Sequence, residues 1–289
     1  MKQQFKLSSP AIAMVLLFSL FAFFLILTPI LSGLLARTSI KPAAVIKITM
    51  VIQDVLVFIL PAIIVALAAT RLPARFLGLD TFGRPATFAL ALLTLICAVP
   101  ALNAVVEWNQ NLHLPESMRG IEDTMRQLEE NARTVTESLM KGSSVASLIV
   151  SVLIVGVLAG FSEELFFRGA FQRTLLYTNI NHHAGVWIVA VVFSLFHFQM
   201  FGFVPRMLLG AYFGYLMLWS GSIWVPTLVH VANNSIVVID SWRVANNPDS
   251  FNLDAVGTDF STPSAWVMIA VSVILTALCL RLTYRSCKQ

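Results

Sequence analysis

Long apolar stretches separated by short polar segments dominate the chain and predict an all-α polytopic membrane protein. A helix needs about 20 apolar residues to cross a bilayer. By that measure we predict a bundle of about eight transmembrane helices, at residues 11–35, 48–70, 86–106, 145–166, 185–201, 205–220, 222–240 and 264–283. The fifth to seventh are short and closely spaced, so two longer spans could replace them. We expect residues 1–289 to form a single membrane domain.

The first apolar run follows Lys2 and Lys6, an arrangement that also begins secretory signal peptides. The run is about 25 residues long, whereas the apolar region of a signal peptide has roughly 7–15. We therefore expect residues 1–36 to contain an uncleaved first span.

Residues 107–143 form the one sizeable polar segment. Within it, apolar residues recur at alternating spacings of three and four: Met118, Ile121, Met125, Leu128, Ala132, Val135 and Leu139. This spacing predicts one amphipathic extramembrane helix. Pro115 suits its start and Gly142 its end. We favour a helix that lies on the protein's own membrane domain, and a substrate gate or a dimer contact is the alternative.

Composition supports the membrane class and excludes several others. The chain is 57% hydrophobic and 12% charged, whereas soluble domains carry about 25% charged residues. No run of Lys or Arg suggests nucleic-acid binding. The three cysteines form no Cys-x-x-Cys pair, which argues against a thiolate metal site and a disulfide framework.

The distribution of Lys and Arg predicts the orientation. Basic residues occupy the N-terminal tail, the loop 71–84, the stretch after the fourth span and the C-terminal tail. The positive-inside rule places these segments in the cytoplasm, with 107–143 and 243–262 outside. Arg37, Lys41 and Lys47 are exceptions. Short loops and compact tails are typical of bacterial proteins, so we expect a multi-pass protein of the plasma (inner) membrane.

Polar residues in three apolar stretches are the candidate site. Ionisable residues cost about 2.5–3.5 kcal/mol each at the centre of a membrane helix, and those that are kept usually function. The stretches contain Glu163, Glu164 and Arg168, then Phe193 and His197, then His230 and Asn234.

Helical geometry suggests a division of labour between the two glutamates. Glu164 and Arg168 are four residues apart on one face, in the favourable order for an ion pair. Glu163 is rotated by about 100° from Glu164. We therefore expect Arg168 to neutralise Glu164 and to leave Glu163 free as a general base.

His230 and Asn234 are also four residues apart, and both can donate hydrogen bonds to an oxyanion. Each of the three patterns also has a structural interpretation, as an ion pair or hydrogen bond that holds helices together. Their joint occurrence in one membrane core favours catalysis. The rival function is a non-catalytic scaffold or transporter that binds a partner or ions with the same polar core.

Three patterns, Glu163-Glu164-x-x-x-Arg168, Phe193-x-x-x-His197 and His230-x-x-x-Asn234, resemble in order and spacing the motifs of the CAAX-protease and bacteriocin-processing family. These proteins are intramembrane proteases related to the Ras-converting CAAX endopeptidase. The resemblance covers residues 145–240, which we expect to form the catalytic core.

The resemblance implies a role for each residue. Glu163 and His197 would activate water, and His230 and Asn234 would stabilise the oxyanion. Arg168 would orient the site, with Glu164 and Phe193 in support. The substrate would be a peptide or membrane protein within the lipid bilayer.

Two forms of this chemistry remain open. The family was long described as metal-dependent, and Glu163, His197 and His230 could ligate zinc. A glutamic endopeptidase needs no cofactor, and we favour it. Other intramembrane proteases fit less well. The chain has neither a His-Glu-x-x-His nor a Gly-x-Gly-Asp motif, and after Gly160-Phe-Ser162 it has Glu163 where the rhomboid-type motif has glycine.

Overall fold

The computed structural model describes residue 7 and residues 9–140 and 144–288 of the 289-residue chain. Every regular element in these ranges is helical, so the predicted all-α membrane bundle is confirmed. The helices are α1 (Pro10–Leu35), α2 (Pro42–Ala69), α3 (Pro73–Leu77), α4 (Pro85–Gln110), α5 (Arg119–Met140), α6 (Val145–Leu176), α7 (His182–Leu195), α8 (Phe203–Ser220), α9 (Trp224–Asn246) and α10 (Pro263–Lys288). Wider π-helical turns interrupt α2 at Asp54–Ile59 and α6 at Val152–Leu158 and Leu165–Gln172.

Proline marks the start of many of these helices. Pro10, Pro42, Pro73, Pro85 and Pro263 each occupy the first helical position. Proline suits that position because its φ is already helical and its missing N–H has no partner there. The helix boundaries are therefore readable from the sequence more sharply than hydropathy alone allows.

Six helices of the described ranges are long and apolar enough to cross a membrane, so the predicted count of eight is not confirmed. They are α1, α2, α4, α6, α10 and the continuous stretch Met200–Ser220 that contains α8. Helix α7 has only 14 residues, and α9 has 23 but is interrupted by polar side chains. The chain is nevertheless a multi-pass integral membrane protein.

Helix α6 is longer than the fourth predicted span, which changes the place of Arg168. We predicted a span at 145–166 with Arg168 just beyond its end. The helix instead continues to Leu176, and Arg168 is fully buried within it. The predicted end of the span at residue 166 is wrong. Glu164 pairs with Arg168, so this arginine is buried inside the bundle and the helix continues past it.

Aromatic side chains fill the core between α1, α2, α6 and α7. Phe166 lies 5.1 Å from Phe21 and 5.7 Å from Phe58, measured between ring centroids. Phe167 meets Phe193 edge-on at 5.1 Å. All five rings are buried. Such pairs add about 0.5–1.5 kcal/mol each to the burial of their area, so this cluster fixes the middle of α6 against its neighbours.

Helices α4 and α10 are joined by small hydroxyl side chains. Thr87 and Ser286 lie 2.8 Å apart, Thr94 and Thr283 lie 3.3 Å apart, and Ser272 donates to the carbonyl of Cys97 at 2.6 Å. Hydrogen bonds of this kind between membrane helices contribute about 0.6 kcal/mol each. They also show that the two helices run antiparallel.

The bundle has a basic end and an acidic end. At the basic end, Arg173 donates to the carbonyls of Arg75 and Gly221, both at 2.7 Å. This end also carries the C-terminus of α10, because Ser286 contacts Thr87. At the acidic end, the C-terminus of α4, helix α5 and residues 247–262 lie together. The predicted grouping of loop 71–84, Arg173 and the C-terminal tail thus agrees with the packing, while Lys2 and Lys6 lie outside the described residues.

The predicted amphipathic helix is α5. It follows a 3₁₀ turn at Glu116–Met118 that starts after Pro115, whereas the predicted end at Gly142 lies outside the described residues.

Helix α5 lies against the rest of the chain as we favoured, but its apolar stripe is packed only in part. Met118, Ile121 and Leu128 are 40%, 47% and 49% exposed, whereas Met125 and Ala132 are half-buried. The polar face also makes contacts: Glu129 accepts from the N–H of Phe201 at 3.3 Å, and Arg126 stacks on the Phe201 ring at 4.0 Å. The side chains of Glu129 and Arg126 therefore attach α5 to the turn before α8, where Phe201 supplies a backbone N–H and an aromatic ring.

Candidate active site

A close crossing of α6 and α9 brings the first and third motifs together. A Cβ atom at Gly160 would lie 3.1 Å from the backbone nitrogen of Val231, and one at Gly156 would lie 2.4 Å from Oγ of Ser235. Only glycine permits this approach without displacing α9. The crossing therefore holds the two glutamates of α6 beside His230.

Glu164 binds two cationic or protonated groups with a single oxygen. Its Oε1 accepts from Nη1 of Arg168 at 2.6 Å and from Nδ1 of His230 at 2.8 Å. Both Glu164 and Arg168 are fully buried. Arg168 also donates from Nη2 to the carbonyl of Gly210 at 2.9 Å, which ties α6 to α8. Glu164 is thus a positioning group that is shielded from water.

Aromatic rings enclose this buried pair. The guanidinium of Arg168 lies 4.6 Å from the ring centroid of Phe193, and the imidazole of His230 stacks on Phe213 at 4.7 Å. Phe193 also meets His197 edge-on at 5.0 Å. Phe193 therefore touches the arginine and a histidine at once, as a spacer between the three motifs.

His197 follows the last turn of α7, and its ring is oriented by its own backbone. Its Nδ1 lies 2.8 Å from the carbonyl oxygen of Phe193. Since a carbonyl can only accept, Nδ1 carries the proton, and the neutral ring keeps its lone pair on Nε2. The geometry leaves Nε2 available as a base.

Glu163 lines the cavity, whereas Glu164 is buried behind it. Its Oε2 is buried and has no hydrogen-bond partner among the residues with described side chains. The nearest ionisable atom that pairs with it is Nε2 of His230, at 3.8 Å, which is longer than a hydrogen bond. An unpartnered buried carboxylate oxygen costs free energy unless water or substrate binds it.

Asn234 completes the set from one turn further along α9. Its Nδ2 donates to the carbonyl of Val155 at 3.2 Å, which uses one of its two N–H bonds. Glu163, His197, His230 and Asn234 all line one cavity of about 310 Å³. The structure therefore brings the four predicted catalytic side chains to a common space, with Glu164 and Arg168 behind it.

The cavity lies towards the acidic end. Gln110 of α4, Glu129 of α5 and Gly202 before α8 line it together with the motif residues. The Lys and Arg distribution places Arg173 at the cytoplasmic end, and the residues that line the cavity do not lie towards that end. Arg168 is fully buried in the core, so it lies behind the cavity and not at its opening.

Several residues of the site escaped the sequence analysis. Phe213 and Gly210 lie in an unremarkable apolar run, and nothing in their spacing points to His230 or Arg168. Arg206 lines the cavity and was visible as a lone cation at the start of the predicted span 205–220. Asp54, by contrast, is recognisable in the sequence as an isolated acid in a span, either a helix contact or a water-facing residue. It accepts from Ser162 at 3.2 Å and so gives α2 a contact directly beside Glu163.

The zinc alternative requires Glu163, His197 and His230 to bind one metal ion together. Among the described residues, no three His, Cys, Asp or Glu side chains are arranged to share a metal ion. His230 already gives Nδ1 to Glu164, and its other nitrogen lies 3.8 Å from Glu163. As placed, the donors do not fit a zinc centre, so no step below is assigned to a metal.

Comparison with known proteins supports the resemblance seen in the motifs. Residues 145–236 match the family model described as type II CAAX prenyl endopeptidase Rce1-like. This segment is Rce1-like. The matched range, about a third of the chain, holds all three motifs, and the predicted resemblance is confirmed. No curated protein and no solved structure matches the chain.

The Rce1-like match has a direct functional consequence. The family is a family of proteases, so the match supports an intramembrane protease with a peptide or protein substrate. The matched residues run from the start of α6 into α9, which are the elements that build the cavity.

Proposed function

We propose that the protein is an intramembrane endopeptidase that hydrolyses a peptide bond with water activated by Glu163 and His197. One observation carries the proposal: the four motif side chains line a single cavity, and Oε2 of Glu163 is buried there without a partner among the described side chains. A scaffold has no need of a carboxylate, two histidines and an amide that line one cavity together.

The first step is attack of water on the peptide carbonyl. Oε2 of Glu163 takes a proton from the water as its oxygen forms a bond to the carbonyl carbon. Nε2 of His197 accepts the second water hydrogen in a hydrogen bond, because its Nδ1 is already committed to Phe193. The carbonyl oxygen becomes the oxyanion of a tetrahedral intermediate.

Donors from α9 stabilise that oxyanion. Asn234, which has a second N–H to donate, and His230, whose Nε2 donates when it carries a proton, line the same cavity. Glu164 holds His230 through Nδ1, so only Nε2 can turn to the substrate. One preorganised donor of this kind is worth about 2.7–4 kcal/mol of transition-state stabilisation. The carbon–nitrogen bond then breaks as Glu163 returns its proton to the leaving amine.

The proposal is tested by peptides released from membranes. Cells that express the wild-type chain are compared with cells that express Glu163→Gln, and with Glu130→Gln as a matched control on the exposed face of α5. We expect new peptide termini that depend on Glu163 and persist in the control.

Identical peptide populations in wild-type and Glu163→Gln membranes, with both proteins inserted at equal levels, would contradict catalysis. That outcome favours the scaffold or transporter that uses the same polar core.

A further inference from the structure

Arg206 is a cation in the catalytic cavity that the chemistry above does not use. It lies in the first turn of α8 and lines the same space as Glu163 and His197. A charged side chain at membrane depth is costly and is usually kept for function. We therefore looked to the substrate for a group that pairs with Arg206.

The hydrogen bonds that the guanidinium of Arg206 makes within the described residues go to one neutral residue, Gln199. Its Nη2 donates to Oε1 of Gln199 at 2.7 Å and its Nη1 to the carbonyl of the same residue at 3.3 Å. Among residues 9–140 and 144–288, no carboxylate comes within 4.0 Å of its guanidinium. Glu129 and Glu163 interact with it only through space.

The surroundings make room for this side chain. A Cβ atom at Gly202 would lie 2.9 Å from Nη2 of Arg206, so glycine leaves space for the guanidinium. Oε2 of Glu129, which shares the cavity with Arg206, accepts from the N–H of Phe201 and does not hydrogen-bond the guanidinium. Gln199 holds the arginine from one side and leaves it facing the cavity.

The chemistry of the guanidinium indicates the ligand. Its planar fork of N–H donors binds a carboxylate through two parallel hydrogen bonds, and these are roughly twice as strong as neutral ones. In a peptide, a carboxylate is either the C-terminus or the side chain of Asp or Glu.

We propose that Arg206 binds a carboxylate of the substrate and selects peptides that carry an acidic group close to the scissile bond. This inference rests on the proposed endopeptidase function, because it assigns a specificity group to that same cavity. Arg206 is then the residue that sets which bond reaches Glu163.

Binding tests the proposal without any need for cleavage. The full chain with Glu163→Gln is placed in phosphatidylcholine nanodiscs, so that peptides bind but are not hydrolysed. Four fluorescein-labelled apolar octapeptides are compared by anisotropy: a free acid, its C-terminal amide, and amidated peptides with an internal Glu or Gln. Empty nanodiscs provide the blank for partition into lipid.

We expect the free acid or the Glu peptide to bind about tenfold tighter than its neutral counterpart. Arg206→Gln should reduce that preference to less than about twofold, whereas Arg119→Gln, an exposed arginine of α5, should keep it. Which carboxylate peptide shows the preference tells the C-terminus from a side chain.

Gly202→Ala provides a second variant in case Arg206→Gln misfolds. The new methyl group would push the guanidinium aside without removing its charge. We expect a weaker carboxylate preference in this variant, with unchanged binding of the two neutral peptides.

Three results would overturn the proposal. They are equal binding of all four peptides, no binding by any of them, and a preference that soluble glycerol phosphate abolishes while sodium chloride at the same ionic strength does not. The last would assign Arg206 to the phosphate of an anionic lipid headgroup.

Once a cleaved peptide is known, kinetics separate substrate binding from an effect on Glu163. Arg206→Gln should raise KM for the acidic peptide and leave its kcat pH profile in place. A changed pH profile with every peptide would mean that Arg206 acts on Glu163 instead. If proteolysis fails but the carboxylate preference stands, the proposed function is wrong and the binding site is right.

Discussion

Nδ1 of His230 lies 2.8 Å from Oε1 of Glu164, the same oxygen that accepts from Arg168 at 2.6 Å. The sequence pattern assigns Glu164 to Arg168 alone. The structure makes it the link between a buried cation and a histidine that faces the cavity. The first and third motifs are therefore one hydrogen-bonded unit, and a change at Glu164 reaches the site through His230.

The two adjacent glutamates should consequently fail in different ways. Glu163→Gln removes the proton acceptor but breaks no hydrogen bond of its Oε2, so we expect loss of proteolysis with near-normal thermal stability. Glu164→Gln leaves Arg168 buried without a counter-charge, a change that costs about 3–5 kcal/mol in buried pairs. Thermal unfolding in detergent, with Glu130→Gln as control, measures the difference. Equal melting of the two variants would contradict the assigned roles.

The close crossing of α6 and α9 predicts that one added methyl group, in Gly160→Ala, strongly reduces activity. Gly160→Ala places a Cβ atom 3.0–3.2 Å from Val231, including its backbone, so the helices must separate by a few tenths of an ångström. We expect a large fall in proteolysis, because Glu164 and His230 move apart. Gly33→Ala, whose Cβ would meet nothing within 4 Å, serves as the matched control. Full activity in Gly160→Ala would show that the crossing does not position the site.

Sequence reasoning reached the class and the polar residues because both depend on local patterns. Apolar run length predicts spans, and four-residue spacing predicts which of Glu163 and Glu164 meets Arg168. It missed the hydrogen bond between Glu164 and His230, because helical periodicity predicts contacts within one helix and not between residues 66 positions apart on different helices. It also misplaced the end of α6, because hydropathy reads Arg168 as a boundary and cannot see its buried partner.

We predict that the protein hydrolyses peptides without a bound metal. Glu163 and His197 together supply the base and the second acceptor that a metal-bound water otherwise needs. Elemental analysis of purified active protein, beside a chelator titration, provides the measurement. Stoichiometric zinc that is lost together with activity would instead make Glu163, His197 and His230 ligands.

The packing of loop residues 112–115 on the start of α5 should depend on pH through Glu122. The N–H of Leu114 and the side chain of Arg126 hydrogen-bond this carboxylate and lower its pKa from 4.5 to about 2. Because the pKa is lower in the folded state, ionised Glu122 stabilises the contact between this loop and α5 above the unfolded pKa. That stabilisation is lost as the pH falls from 4.5 towards about 2.

Hydrogen exchange of residues 112–126, corrected for intrinsic rates, measures this effect. We expect faster corrected exchange at a pH of about 3 than at a pH of about 6, within the window set by the two pKa values. Glu122→Gln should exchange fast at both and Glu130→Gln should behave as wild type. A pH response that survives in Glu122→Gln would assign it to another group.

The final prediction concerns the side of the membrane from which substrate enters. Loop 71–84, Arg173 and the C-terminal tail share the basic end, so the positive-inside rule places that end in the cytoplasm. The cavity lies towards the acidic end with Glu129 and Gln110, so its access should be extracytoplasmic. Single cysteines replace Thr134 of α5 and Thr178 after α6, both exposed, in a chain without Cys97, Cys279 and Cys287. An impermeant maleimide on intact cells should label the first and not the second. The opposite labelling would place the acidic end, and with it the entrance to Glu163, in the cytoplasm.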